Sequence, residues 1–252
     1  KRPFTITFFS SILCGIAVTT VYAQLLSLFC KIGCFANLLL VIFCIVTLII
    51  YPHSFYKETL QKIKLAFFSW QGLLYIGLIL FIAFYTSRGT IHTDTSLYHA
   101  QAIRWYEEYG VVKGLGNLQW HFAYNSSYFA FASLFSLKFL CGQSLHCTTG
   151  FIAIILILWS LHHLRGFLTH TSHMCDMCCV GILFYMLVNL TGCVSPASDY
   201  ASMYMALYLI VLLFDTNEQS DRAPYTWRHN RRLVYLIKAK RIKDIFIYFG
   251  LG

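Results

Sequence analysis

Long apolar runs alternate with short polar connections along this chain. Residues 3–30, 32–56 and 65–87 carry no Lys, Arg, Asp or Glu, and neither do residues 139–164 and 177–198. Two shorter apolar stretches, 126–138 (closed by Lys138) and 200–214, bring the set to about seven. A helix needs about 20 residues to cross a bilayer. Backbone exposed to lipid must also satisfy its own hydrogen bonds. The pattern therefore predicts an all-α, polytopic transmembrane helix bundle of about seven spans. Residues 1–221 form the expected membrane module, and 222–252 form a basic cytoplasmic tail.

The connection at residues 88–125 breaks the pattern. Arg88, Asp94, Arg104, Glu107, Glu108 and Lys113 fall within it, with His92, His99 and His121. The chain has ten acidic residues, and this one connection holds three of them. Thr93, Asp94 or Thr95 suits an N-cap and Gly110 suits the residue after a helix end, so 94–109 reads as one helix. Leu97, Ala100, Ile103, Trp105 and Tyr106 give it apolar surface beside Arg104, Glu107 and Glu108. Such a helix is expected to lie in the membrane interface. A turn-rich stretch, 111–116, leads to an aromatic return limb of Trp120, Phe122, Tyr124 and Tyr128, interleaved with Asn117, His121 and Asn125.

A bland explanation covers part of this loop. Asp94 serves as a cap, and Arg104 with Glu108 makes an i,i+4 surface pair. Neither role calls for His92, or for Asn117, His121 and Asn125. An ionisable group at a membrane edge is a functional candidate by default. A carboxylate at a helix start is also favoured in its ionised form, and the same backbone N–H groups can receive a phosphate.

Loop charge sets an expected topology and a conflict within it. Lys1, Arg2, Lys57, Lys62 and Lys64 place the N-terminus and the second connection inside, which puts 88–125 outside. The basic tail also favours the inside, so the link at 194–199 belongs outside as well. An even number of crossings must separate these two outer loops, yet three segments lie between them. The segment at 126–140 is the weakest, being short and carrying Lys138.

Composition narrows the class further. The chain is 58% hydrophobic and 12% charged, against about 25% charged for average soluble proteins. Its net charge of +9 is concentrated at the end, where Arg222, Arg228, Arg231, Arg232, Lys238, Lys240, Arg241 and Lys243 are eight of 19 basic residues. In a membrane protein this reads as a tail facing anionic lipid rather than as a nucleic-acid surface. No cleavable signal is expected, since the first apolar run exceeds a signal core. The missing initiator Met suggests an N-terminal fragment of a longer protein. Most of the ten cysteines sit in apolar runs as small hydrophobes. His170, His173, Cys175, Asp176, Cys178 and Cys179 crowd together at soft-ligand spacing. With no second Cys/His pair at a finger-like distance, no metal is expected there.

The loop also carries a resemblance. The run Thr93-Asp94-Thr95-Ser96-Leu97-Tyr98-His99-Ala100-Gln101-Ala102-Ile103-Arg104-Trp105 resembles a group of uncharacterised bacterial multi-pass proteins related to the GT-C membrane glycosyltransferases. So do Gly114-Leu115-Gly116-Asn117-Leu118, Phe122-Ala123-Tyr124-Asn125-Ser126-Ser127 and Ser195-Pro196-Ala197-Ser198-Asp199. The resemblance implies transfer of a sugar from a polyprenyl-phosphate carrier to a glycan or lipid acceptor on the outer face of a bacterial inner membrane. It implies Asp94 as base or positioning carboxylate with His92 beside it. Arg88, His99, Arg104, Asn117, His121, Asn125 and Asp199 are the implied substrate contacts. A divalent metal is used by some members of that superfamily and is not expected here. One departure is that two additional spans precede the acidic loop. The alternative is a non-enzymatic transporter or scaffold. Transporters place acids within spans or break their helices in repeated halves. This chain has four prolines and no acid central to a span.

Overall fold

The computed structural model describes residues 3–50, 69–87, 92–168 and 173–221, and every regular element among them is helical. Arg88, His170, the lysines of the second connection and the tail at 222–252 lie outside the described residues. Three helices come first: α1 (Pro3–Ser27), α2 (Cys34–Ile50) and α3 (Trp70–Ser87). A π-helical turn (Thr95–His99) then runs into α4 (Ala100–Glu108). After two short turns, Leu115–Leu118 (α5) and the 3-10 turn Trp120–Tyr124, come α6 (Ser127–Leu134) and α7 (Lys138–Cys141). The chain closes with α8 (Thr148–Leu168), α9 (Met174–Val188), a 3-10 turn (Leu190–Cys193) and α10 (Ser198–Asp221).

The all-α expectation holds, whereas the count of seven spans does not follow from the helix lengths. Two helical stretches, Phe8–Ser27 and Ser198–Asp215, are long and apolar enough to cross a membrane, and the other apolar helices have 10–17 residues. Some of these shorter helices are nonetheless apolar on their outer faces. On α2, Phe43 is 60% exposed and Ile49 is 76% exposed. Apolar surface of that extent marks an interaction face rather than a water-facing one.

Two expected spans are corrected. The stretch at 126–138 forms only the eight-residue α6, about 12 Å long at 1.5 Å per residue. Its end is set by Leu137, whose φ of +50° breaks the helix, and by Lys138. The Lys138 ammonium donates to Glu108 at 2.6 Å and lies 3.6 Å from Glu107, tying the chain back to α4. The expected span at 139–164 begins instead at Thr148, because Gly142 takes a left-handed turn after α7 (φ +74°).

The chain divides into two compact units. One comprises Tyr22–Ile154 and Leu190–Ala201; the other comprises Lys1–Val21, Ile155–Asn189 and Ser202–Gly252. In the first, Ile103, Phe129, Phe131 and Leu134 are buried where α4 and α6 pack. The end of α4 is fixed to the turn after α1. Ile32 N–H donates to Tyr106 O at 2.9 Å, and Val111 N–H donates to Ser27 O at 2.9 Å. In the second unit, Trp159 stacks obliquely on Tyr208 at 4.5 Å, and the Tyr208 and Ser10 hydroxyls are 3.0 Å apart.

Gly110 occupies the position expected of it after α4, with φ +79°, and a Cβ there would lie 2.6 Å from Ser27 O and 2.7 Å from Cys30 O. Gly114 shares the positive φ (+83°), but its Cβ would meet only Asn117 Nδ2 at 3.6 Å. Left-handed backbone costs a residue with a side chain about 1–2 kcal/mol. Gly110→Ala adds backbone collisions to that cost and is expected to lower stability by at least about 2 kcal/mol. Gly114→Ala is expected to lose only about 1 kcal/mol. Denaturant melts of the two variants in one detergent check the order.

Candidate functional site

The polar groups of the first unit converge where the π-turn meets the segment Leu190–Ala201. A chain of buried hydroxyls makes the junction. Thr149 Oγ1 donates to Ser195 O at 2.7 Å, which spends its only proton. The Tyr128 hydroxyl, 2.6 Å from Thr149 Oγ1, must therefore donate to it, and it accepts from Thr148 Oγ1 at 2.8 Å. Ser195 Oγ and Thr95 Oγ1 are 3.0 Å apart and both side chains are buried. Thr95 thus has a fixed partner 100 positions along the chain.

The π-turn explains why the expected helix at 94–109 is not uniform. Ala100 N–H bonds back to Thr95 O, five residues earlier. A widened turn inserts one residue and re-aims the side chains around it; such bulges are frequent at functional sites. Here Thr95 and His99 both turn inward. Asp94 has helical backbone angles and makes no side-chain capping bond. Its expected role as N-cap is therefore corrected: Thr95 N–H bonds instead to His92 O at 3.2 Å. The Asp94 carboxylate is 44% exposed, with Oδ2 at 3.9 Å from His92 Nδ1.

His99 is the buried centre of the group. It is 2% exposed, and its Nδ1 has no hydrogen-bond partner among the described residues. The rings of Tyr98, Phe129 and His92 lie 4.2, 5.7 and 6.2 Å from it. Burial pushes its pKa below the ordinary imidazole value. Asp94 opposes that shift, His92 adds to it, Asp199 opposes it and His121 adds to it. The same two carboxylates, after burial itself, push the Tyr98 phenol upward. Asp94 and Asp199 thus both act electrostatically on this pair of rings, although 105 positions separate them in the chain (199 − 94 = 105). Tyr200 completes the approach. Its ring stands edge-on to His92 at 6.1 Å, over Gly192, where a Cβ would come within 2.8 Å of the ring.

The return limb supplies an aromatic wall. His121 stacks on Tyr98 at 4.7 Å and 19°, and Trp120 lies 3.8 Å from His121. Trp120 and Tyr124 keep exposed faces. Behind the wall, α4 and the limb enclose a cavity of about 240 Å³ lined by Ala102, Trp105, Tyr106, His121, Asn125 and Phe129 among others. Asn125 adopts a left-handed backbone (φ 44°) and accepts the Tyr106 hydroxyl at 3.2 Å. Aromatic faces with polar tips at their edges suit a ligand that is apolar on one side and hydroxylated on the other.

Among the residues expected to contact substrate, His99, His121 and Asp199 come together with Asp94 and His92. Arg104 does not join them: it is exposed and bonded through Nε to Glu108 at 2.9 Å. Asn117 is exposed on α5, its backbone N–H bonded to Gly114 O. Thr95, Tyr128, Thr149, Ser195 and Tyr200 were not expected as site residues. The quoted motifs contained Thr95 and Ser195, and the aromatic return limb contained Tyr128; nothing in the sequence singled out Thr149 or Tyr200.

Residues 3–240 match the model of a family described as "Domain of unknown function (DUF8201)", and the chain belongs to that family. No curated protein and no solved structure matches the chain.

His99 yields a pH test with a definite sign. Its folded pKa lies below the unfolded value, so the unfolded chain binds more protons beneath about pH 6.5. Stability contributed by the neutral ring is complete above that pH and is lost as pH falls. The melting temperature is expected to fall between pH 7.5 and 5.5, with a smaller fall in His99→Asn. His146, which burial also pushes down, leaves a residual slope in that variant. Thermal scans at matched salt measure both.

Proposed function

We propose that this DUF8201 chain is a membrane glycosyltransferase that moves a sugar from a polyprenyl-phosphate carrier to a hydroxylated acceptor outside the cytoplasm. The observation that carries the reading is Asp94: it is released from capping, open to solvent and grouped with Asp199 about His99. Two helices long and apolar enough to cross a membrane, and further helices with apolar outer faces, support a place in a membrane, which this reading takes as multi-pass in a bacterial inner membrane. The short α6 supports the topology as well. This reading takes 127–134 not to cross and α8 and α9 to cross, which places the loop at 92–125 and Asp199 on one side.

In this reading the acceptor hydroxyl approaches from water and the lipid carrier arrives within the membrane plane. Asp94 accepts the hydroxyl proton as the oxygen attacks the anomeric carbon, and the carrier phosphate leaves with the electrons of the broken C–O bond. A half-exposed carboxylate suits that task. Asp199 and neutral His99 orient the acceptor. The exposed faces of Trp120 and Tyr124 receive a sugar ring. Arg104, held by Glu108, is poorly placed for the leaving phosphate, and Arg88 is the cation that the sequence offers nearest to His92.

The test is transfer of labelled sugar from membrane lipid carriers to endogenous acceptor, with full-length wild type and Asp94→Asn in matched amounts. Loss of general-base help costs about 10²–10⁴-fold, and that is the expected deficit. Transfer by Asp94→Asn at the wild-type rate removes Asp94 from the mechanism. Absence of transfer by wild type across a panel of polyprenyl-phosphate sugars contradicts the enzymatic reading.

A further inference from the structure

The unit formed by Lys1–Val21, Ile155–Asn189 and Ser202–Gly252 holds an ionisable cluster of its own. His163 on α8 meets Cys175 and Asp176 in the first turn of α9. Cys175 and Asp176 are fully buried, and His163 is 6% exposed. His163 Nδ1 lies 3.1 Å from Asp176 Oδ1, and Cys175 Sγ lies 3.9 Å from that nitrogen and 3.7 Å from that oxygen. Asp215 on α10, also fully buried, places Oδ1 3.8 Å from the same sulfur.

These separations suit a shared cation. Zinc binds nitrogen and oxygen at about 2.0–2.1 Å and thiolate sulfur at about 2.3 Å, so tetrahedral ligands stand about 3.3–3.6 Å apart. The three edges of the His163–Cys175–Asp176 triangle, at 3.1, 3.7 and 3.9 Å, bracket that range.

The ligands are also held in place from behind. Asp176 Oδ2 accepts His173 N–H at 3.0 Å, which leaves Oδ1 aimed at His163. The Trp159 ring packs edge-on against His163 at 4.9 Å and 67°. Such outer contacts fix the orientation of ligands at metal sites.

We propose that His163, Cys175 and Asp176 bind one divalent transition metal of the zinc class per chain, with Asp215 as the supporting carboxylate. Sulfur and imidazole select such an ion over magnesium or calcium. The charges of thiolate and carboxylate balance those of the ion, and binding releases the thiol proton. Bound there, the ion joins α8 to α9 and, through Asp215, to α10. The crowded cysteines had suggested the stretch around His170–Cys179. The set proposed here differs from that stretch, taking His163 from the preceding helix and leaving Cys178 outside the triangle.

The test uses the full chain purified in detergent, with Zn²⁺ and Co²⁺ as probes. Wild type is expected to retain about one zinc per chain through gel filtration, and to show a thiolate-to-cobalt charge-transfer band when loaded with Co²⁺. Cys175→Ala should lose the band and most of the metal, while Cys178→Ala keeps both. Asp215→Asn should weaken zinc affinity about 10–100-fold, as outer-contact losses do. Gel-filtration profiles identify any variant that misfolds, and in that event the wild-type cobalt spectrum alone decides. Wild type without stoichiometric zinc and without the cobalt band overturns the proposal, as does a band that survives in folded Cys175→Ala.

Discussion

The first unit depends on a buried polar junction: Ser195, held between Thr149 below its carbonyl and Thr95 beside its hydroxyl. Each bond is worth only about 0.5–1.5 kcal/mol net, but a buried hydroxyl or carbonyl left without a partner costs about 1–3 kcal/mol. The junction therefore acts more through what it forbids than through what it adds. It allows one register between the π-turn and the segment after α9, and that register sets Tyr200 against His92 and brings Asp199 toward Asp94. The Tyr128 hydroxyl extends the same chain of donors into α6.

From that constraint the site geometry follows. Thr95 must face inward to reach Ser195, and His99 must face inward to pack on Phe129. A regular α-helix puts residues four apart on one face only approximately, and the i→i−5 bond from Ala100 to Thr95 adjusts the fit. The cost is a helix start without a capping carboxylate, and Asp94 is left facing solvent. Glu107 and Glu108 serve a different end. They hold Lys138, which ties the chain beyond α6 back to α4.

The helical class, the isolation of the loop at 88–125 and the glycine after α4 were legible in the sequence, because apolar period and left-handed backbone leave local marks. Membership of His92, Asp94, His99 and Asp199 in one neighbourhood was suggested by motif resemblance, against a topological conflict over 126–140. The structure gives 127–134 as a helix of eight residues, the shortest of the segments in that conflict. The π-turn was not legible, since nothing local in Thr95–His99 distinguishes five-residue from four-residue bonding; the bond depends on Ser195, 100 residues away. The i,i+4 spacing of Arg104 and Glu108 made their surface pair legible, and the structure shows that pair rather than a place for Arg104 beside Asp94. His163 and Asp215 were overlooked. Each lies in a helix far along the chain from the cysteines, and only helix packing brings them to Cys175.

The central claim is that Thr95 and Ser195 meet, since Asp94 and Asp199 share a site only if they do. A Thr95→Cys/Ser195→Cys double variant, oxidised under mild conditions in the membrane and digested, measures this through its disulfide-linked peptides. Two side-chain oxygens 3.0 Å apart place replacement sulfurs within reach of a bond of about 2.05 Å. The account predicts that the peptides containing positions 95 and 195 are joined in most of the folded protein. Folded protein in which those peptides stay separate, with both thiols shown to be intact, contradicts it.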